Sequence, residues 1–581
     1  MFNKYYQDEL QFLREMGDEF SGAYPAAAHF LEGPGSDPDV ERLLEGFAFL
    51  SARVREKLED EFPELTHGLM QLLWPHYLRP VPSMAILEFQ PVMPALRQSQ
   101  TVPRGIEVDS VPVEGAPCRF RTGYEVTLHP LTLDDVAQET SSAGRSVLKL
   151  GFRLWNQVRP EAIRLDRLRL FLHGEPAVTF ALYYLLLKHV EEARVTAGRG
   201  DRSGAHRPVT FAAAGFGADE ALLPYPAASF PGYRHLQEYF ALPEKYLFID
   251  VLGLDRLNEL GVTDQFQVEI RFDRALSPTL RPTREEIRLY CTPIVNLFAH
   301  EGDPIRLERD QTEYRIRPAG RDPLHHEVYS IERVGAWDAA AGEEREIPSF
   351  HDAMRVGTGG RSSFYFHRLR TSVVDERVDV YVSFVDGKAN AIPPFAETVS
   401  FALTCTNRQR PEALRVGDIN VPTDTSPAFV RFRNLTAPTP SVAPPLGGDL
   451  QWPLISHLSQ NYLSLTEIDA LRGVFELYNF QTRRSPQAAR ASARRLEGLS
   501  AIRAEPAVIL HQGCPLRGSR ITIDVLEDRF AGDGDLFLFA TLLDEFLGLN
   551  ATLNSFVQLR VHGLQQGETL TWPCRTGRDL L

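Results

Sequence analysis

The chain has 581 residues, 43% hydrophobic and 24% charged, and its 62 Lys+Arg against 77 Asp+Glu leave a formal net charge of −15. That length predicts roughly three to five domains of ordinary globular composition. The acidic balance excludes nucleic acid as the main partner, because phosphate binding needs a basic field.

The five cysteines (Cys118, Cys291, Cys405, Cys514 and Cys574) are odd in number and scattered, with no C-x-x-C pair. They form neither a disulfide framework nor a zinc site, and reduced cytosolic thiols fit best. The opening MFNKYYQDEL is charged and amphipathic, unlike a secretory signal. The longest apolar run, near Val178–Leu187, is about half of a membrane span. A cytoplasmic protein without direct membrane insertion is expected.

Lys4 to Phe20 has a helical pattern, and Gly33-Pro34-Gly35 breaks it. The stretch Asp37–Met84 follows. Asp37 is a good N-cap and Pro38 suits the first helical position. Val40, Leu43, Leu44, Phe47, Leu50, Val54, Leu58 and Phe62 recur at three- and four-residue steps and draw one apolar stripe. Phe49 lies off that stripe and widens it. Pro63 is expected to close the helix. A second apolar helix carries Leu65, Leu69, Leu72, Leu73 and Trp74, with a kink at Pro75 and a stop at Pro80 and Pro82. A stripe of this size needs cover, from the same chain or from a partner.

After Pro82 the period changes to that of strands. Ala85–Phe89, Val147–Trp155, Arg167–His173, Gln265–Phe272 and Ile287–Leu289 are strand-like. Cys118–Thr122 and Tyr124–Leu128 look like a hairpin around Gly123, and Glu175 to Glu192 like a helix. The aromatic-dense Tyr239–Ile249 ends as a strand. Further strands are expected at Ile305–Arg309, Tyr314–Arg317, Val328–Val334, Ser363–Arg370, Val378–Phe384 and Thr398–Thr404. Ala197–Pro208 is a polar loop and Ala437–Gly448 a Pro-rich linker. Trp452 to Phe480 is helical in pattern, and Arg483–Arg503 a basic, solvated connector. Val508–His511, Ser519–Val525 and Ser555–Val561 are strand-like. Asp535–Leu549 is apolar nearly all round and should be buried.

The fold class that follows is a multidomain α+β protein. It has a helical N-terminal segment (1–82) and β-rich sandwich- or barrel-like domains at 83–282 (with helical insertions) and 283–436. A linker (437–450) leads to an α/β C-terminal domain (451–581).

No chemical motif stands out. There is no P-loop, nucleophile elbow, H-E-x-x-H or EF-hand loop. Gly357–Arg361 lacks the spacing and the lysine of a phosphate loop. His325-His326 would point to opposite faces of a strand, whereas a metal needs convergent ligands. Asp533-Gly534-Asp535 resembles part of a calcium loop but precedes a helix, where capping explains it. Carboxylate pairs such as Glu285-Glu286 are ordinary in an acidic chain. Arg199-Gly200-Asp201 matches an adhesion tripeptide that a chain without a secretion signal has no use for. No catalytic, cofactor-binding or metal residue is assigned. The alternative left open is a soluble carbohydrate-active or other enzyme with an unrecognised carboxylate site.

Several stretches together resemble the TssF family, the larger wedge protein of the type VI secretion baseplate. The first is Tyr5-Tyr6…Glu9-Leu10…Leu13-Arg14…Gly17…Glu19-Phe20 with Tyr24-Pro25. The strongest is Pro38–Leu50, running on to Glu61-Phe62-Pro63 and Trp74–Pro80. Others are Glu238-Tyr239-Phe240…Pro243-Glu244-Lys245, Cys291-Thr292-Pro293…Asn296-Leu297-Phe298, Leu403–Asn407, Trp452–Tyr462 and Leu553–Phe556. Gln460 departs from the usual aliphatic residue.

The resemblance implies a cytoplasmic structural protein, similar to inner baseplate wedge proteins of contractile-tail phages. It implies as partners a second copy of the chain, the smaller wedge protein TssG, the sheath-initiating protein TssE, the adaptor TssK and the spike hub. It implies docking at the inner membrane only through partner proteins, and neither a cofactor nor an enzymatic role. With it, the stripe becomes the candidate partner interface: Val40, Leu43, Leu44, Phe47, Phe49, Leu50, Val54, Leu58, Trp74 and Tyr77.

Overall fold

The computed structural model describes residues 6–7, 9–13, 16, 38–59, 63–92, 96–140, 144–158, 160, 163, 165–198, 205–226, 229–255, 257–277, 280–308, 311–320, 325–338, 342–350, 363–371, 378–385, 398–446, 467–484, 486–549 and 551–577. Asp37, Phe62, Arg199-Gly200-Asp201, Gly357–Arg361 and Trp452–Tyr462 lie outside them. The architecture is multidomain α+β, and it divides into two compact units.

The first unit comprises Met1–Leu78 with Pro445–Leu458. Its helices are α1 (Pro38–Glu59) and α2 (Pro63–Leu73), followed by a 3-10 turn, Pro75–Leu78. Pro38 opens α1 as expected. Pro63, expected to close α1, instead opens α2. The physical reason is the same at both prolines: the missing N–H costs nothing in a first turn. Pro75 ends the second helical run by tightening it, with Tyr77 N–H donating to the Trp74 carbonyl at 3.0 Å.

The second unit comprises Arg79–Pro444 with Ser459–Leu581. It begins with an antiparallel six-stranded sheet in the order Val421–Pro422, Glu107–Asp109, Arg119–Thr122, Cys291–Val295, Met84–Pro91, Val430–Asn434. A five-stranded sheet runs His206–Pro208, Val190–Thr196, Gln265–Phe272, Ser146–Leu154, Leu131–Thr140, and a four-stranded one Thr210–Ala213, Phe248–Leu252, Arg167–Leu172, Ile287–Leu289. Further on, Thr398–Thr406 pairs with both Phe298–Glu301 and Glu327–Asp338. Beside that sheet stands a three-stranded one built on Val378–Val385. Val334, Val382, Val399 and Phe401 are central to the core these two sheets share.

Two expectations fail here for local reasons. Arg119–Thr122 and Val126–Leu128 do not form a hairpin; they belong to different sheets. Gly123 is the crossing point, where a Cβ would lie 2.2 Å from Leu222 Cδ2 and 3.1 Å from the Pro293 carbonyl oxygen, so close packing and not turn geometry favours glycine. The helix expected to Glu192 is α3 (Pro176–Lys188), and Val190–Thr196 is a strand. His189 ends the helix, and β-branched Val190 and Val195 favour the sheet.

Later in the chain come α4 (Pro231–Ala241), α5 (Ile468–Tyr478), α6 (Pro486–Gly498) and α7 (Asp533–Leu549). α6 occupies most of the expected connector. The strands Leu499–His511 and Cys514–Val525 form one long hairpin. Cys514–Val525 also pairs in parallel with Ser555–Gly563. A parallel pair needs a crossover, and α7 supplies it. α7 is buried almost throughout, as its all-round apolar sequence predicted, and it packs on α3, α4 and Ser555–Gly563. An aromatic seam accompanies it: Phe546 meets Phe230 at 5.7 Å, Tyr233 stacks on Tyr478 at 4.7 Å, and Phe537 stacks on Trp572 at 5.5 Å. Asp535, in the first turn of α7, accepts from Ala531 N–H and holds Arg495, so helix-end hydrogen bonding explains it without calcium.

The most constrained point of this unit is a fully buried ion pair. Glu238 on α4 and Lys245 on the 3-10 turn Pro243–Tyr246 meet at 2.7 Å with neither side chain exposed. The other Glu238 oxygen accepts from Leu222 and Leu223 N–H at 2.8 and 2.9 Å. Lys245 Nζ also donates to the Gly215 carbonyl at 2.6 Å, and Tyr124 OH donates to the Lys245 carbonyl at 3.0 Å. Burial pulls the Lys245 ammonium pKa down, and Glu238 opposes that pull. Next to it, Glu220 accepts from Gly215 and Gly217 N–H and pairs with Arg169, which also grips Asp250.

Removing one member of a buried pair strands the other charge. Glu238→Leu is therefore expected to cost roughly 3–5 kcal/mol, and adding Lys245→Met to recover only the part due to the stranded ammonium, since Leu222 and Leu223 N–H still lack their acceptor. Urea unfolding midpoints check this; a single variant as stable as the native chain would show that the pair holds nothing.

Candidate interaction surface

The helix α1 presents two faces, and they differ from the single stripe that periodicity draws. At about 100° per residue, Leu43, Phe47 and Leu50 fall within roughly 60° of arc. Leu44, Ala48, Ser51 and Ala52 fall on a neighbouring arc about 100° away. The inward face is the second, small-residue one: Ala48 and Ala52 are fully buried, and Leu44 and Ser51 half-buried. The large apolar side chains point out, with Leu43 74%, Phe47 59% and Leu50 60% exposed. Phe49 is also exposed. Of the other candidates, Trp74 is half-buried and Tyr77 buried. Val40, Val54 and Leu58 lie on α1, with side chains outside the described set.

The structure thus brings together Leu43, Phe47 and Leu50 as one outward row and separates from them Leu44 and Tyr77. Helical periodicity alone could not make that division, because alanine is apolar enough to be buried yet too small to weigh in a stripe. The signal that could have found it is the Ala48/Ala52 spacing, which marks where a helix can be approached closely.

Several described motif residues elsewhere are built into the interior, although Leu553 of the last motif is exposed. Asn296 and Asn407, from two different motifs, bond to each other: Asn296 Nδ2 donates to Asn407 Oδ1 at 2.8 Å, and Asn407 N–H donates to Asn296 Oδ1 at 2.7 Å. Asn296 Nδ2 also reaches the Arg119 carbonyl, and Arg119 N–H donates to Asn407 Oδ1. This pair closes the open polar groups where the sheets meet. Phe556, of the last motif, is fully buried.

Chemistry-bearing clusters are accounted for by structure. Among the described residues no group of three or more His, Cys, Asp or Glu is placed to hold a metal ion. His325 faces Glu114, while His326 is buried beside Asn407. Glu285 holds Arg288, and Glu286 accepts from Thr283, so that carboxylate pair shapes a turn. The buried carboxylates Asp250, Asp535 and Asp544 are neutralised by Arg169, Arg495 and Arg575. A cavity of about 300 Å³ at the end of α7 is lined by Glu545, Gly548, Leu549, Pro573, Cys574, Arg575 and Thr576. Its arginine is already held by Asp544 and Glu545.

Buried histidine does leave a pH signature. His129 is 1% exposed, bonded through Nδ1 to Ser99 Oγ at 2.8 Å, and burial pushes its pKa down to about 4 from 6.5. The unfolded chain therefore binds a proton that the folded chain refuses between those values, and stability falls as pH drops through that window. His129→Gln is expected to flatten the loss between pH 6.5 and 4, by about 3 kcal/mol at the lower end. Urea titrations at both pH values check it; an unchanged slope would contradict it. On α1, Phe47→Asp should leave stability within about 0.5 kcal/mol of native. Ala52→Leu should cost about 1–3 kcal/mol by overpacking. Equal effects would mean that the two faces are not distinct.

Comparison with known proteins agrees with a structural role. The family described as "Type VI secretion system, TssF" matches residues 1–579. Type VI secretion system component TssF1 of Pseudomonas aeruginosa is 31% identical over 621 aligned positions, covering 99% of this chain and 98% of its own length. A cryo-electron-microscopy structure of a TssK-TssF-TssG baseplate subcomplex contains a similar chain. Its TM-score is 0.78 at 30% identity, with 92% of this chain and 99% of that chain covered. A second solved structure, of the type VI secretion baseplate complex, is similar over 100% of both chains, with a TM-score of 0.67 at 27% identity. By family match and full-length identity, this chain belongs to the TssF family, structural scaffolding components of the type VI secretion baseplate.

Proposed function

We propose that the outward row Leu43, Phe47 and Leu50 on α1, flanked by Phe49, is the surface through which this baseplate component joins its neighbours. The observation that supports the reading is the orientation of α1. It packs inward on alanines and leaves three large apolar side chains in one row exposed. Covering such a row gains roughly 3–6 kcal/mol gross. That is a useful share of an interface, though association entropy takes part of it.

The covering partners in this reading are a second copy of the chain and the smaller wedge protein TssG. The adaptor TssK, the sheath-initiating TssE and the spike hub contact the assembled core. TssK and TssG stand beside the similar chain in the solved subcomplex. Val40, Val54 and Leu58 continue the row by spacing. The protein works without a catalytic site or cofactor. No helix among the described residues is long and apolar enough to cross a membrane. In this reading the protein is cytoplasmic and reaches the inner membrane only through its partners.

Leu43→Asp with Phe47→Asp tests the row. The double variant is expected to stay soluble and folded yet lose co-purification with TssG. Full wedge stoichiometry from the double variant would overturn the interface. An insoluble double variant would show the row to be core of the chain itself.

A further inference from the structure

The long hairpin of the last sheet is covered on one face for only half its length. Cross-strand partners share a face and successive residues alternate. Ile502, Ala504, Pro506, Val508 and Leu510 therefore form one row along the outer strand, beside Ile523, Ile521, Ser519, Arg517 and Pro515 of the second. Apolar residues at every second position are the pattern of a strand that faces a core along its whole length. At the inner end that holds. Ile521 and Ile523 are fully buried, Leu559 and Val561 of the third strand continue their rows, and α7 packs on that third strand. The third strand begins at Ser555, opposite Arg517. Val508 is level with that first residue and 64% exposed, and beyond it, where the hairpin runs on as two strands, Leu510 is 80% exposed. An isolated two-stranded ribbon is marginally stable at best.

Two further observations define what covers it. The turn has Gln512 at φ 51° and Gly513 at φ 83°, with His511 paired to Cys514. That is a two-residue primed turn, so His511 and Cys514 are a hydrogen-bonded pair. Counting back by twos, the odd-numbered residues turn their N–H groups toward the second strand and the even-numbered ones toward the free edge. Pro506 therefore places its missing N–H on the free edge, where an added strand would lose a ladder bond. The cover comes onto the face, and on the inner half of this same face the cover is a helix. The second observation is charge. Arg517 is exposed in the row beside Val508, and its guanidinium has no hydrogen-bond or ion-pair partner among the described residues.

We propose that the outer half of this hairpin docks an amphipathic helix of another protein of the assembly. That helix turns an apolar side to Val508 and Leu510 and sets an aspartate or glutamate against Arg517. The proposal rests on the scaffolding reading above and concerns a surface separate from α1.

The test places the photo-crosslinking residue p-benzoylphenylalanine at Leu510 of the full chain, co-produced with TssG and TssK and irradiated as the purified complex. The expected result is one adduct peptide from a partner's helix, with an acidic residue within a turn of the adduct. Arg517→Glu is expected to lower its yield about tenfold. The same crosslinker at Glu505, on the opposite face, is expected not to capture that peptide. An adduct to a strand, a loop, lipid or a second copy of this chain would overturn the proposal. So would no adduct from a complex with every subunit present, and in that case the scaffolding reading stands. If the unsubstituted chain forms no complex, both fall.

Discussion

The buried pair of Glu238 and Lys245 is the constraint on which most of the second unit depends. A carboxylate and an ammonium with no exposed surface are tolerable only if their remaining lone pairs and protons are used. Here Leu222 and Leu223 N–H serve one Glu238 oxygen, the Gly215 carbonyl takes a Lys245 proton, and the ammonium lies 4.4 Å from the centre of the Tyr246 ring. The pair therefore fixes α4, the 3-10 turn after it and the loop around Gly215 in one arrangement. A Cβ at Gly215 would come within 2.8 Å of the Lys245 carbonyl oxygen, and its φ of +101° suits glycine alone. α7 then packs on α4, and the last sheet is anchored through α7. Local contacts thus transmit one buried pair to residues more than three hundred positions away in sequence.

How much of this was legible in the sequence depends on the range of the interaction. Period-two strands such as Gln265–Phe272 show in sequence because alternation is local, and their burial alternates as the pattern requires. The all-round apolar character of α7 announced its burial. Pairing was not legible. Gly123 looks like a hairpin turn until Leu222 and Pro293 are seen against it. The joint of Asn296 with Asn407 spans 111 positions and leaves no periodic trace. Lys245 lay within a recognised motif, yet nothing in the local sequence says that a lysine there is buried.

The candidate surface was half legible. An apolar stripe on α1 follows from spacing, but spacing does not separate a face that packs from a face left exposed. Size does: Ala48 and Ala52 mark the packed side, and the larger residues turn outward. The outer half of the last hairpin repeats the theme on a sheet, where an apolar row outruns its own cover. Both surfaces belong to a chain in which the buried charges of Glu238, Lys245, Asp250, Asp535 and Asp544 are spent on structure.

The most direct measurement is the solvent exposure of Phe47 in the assembled wedge, determined from a structure of this chain with its neighbouring subunits. Phe47, 59% exposed in the chain by itself, is expected to be covered there by another polypeptide. Phe47 still open to solvent in the complete wedge would contradict that expectation.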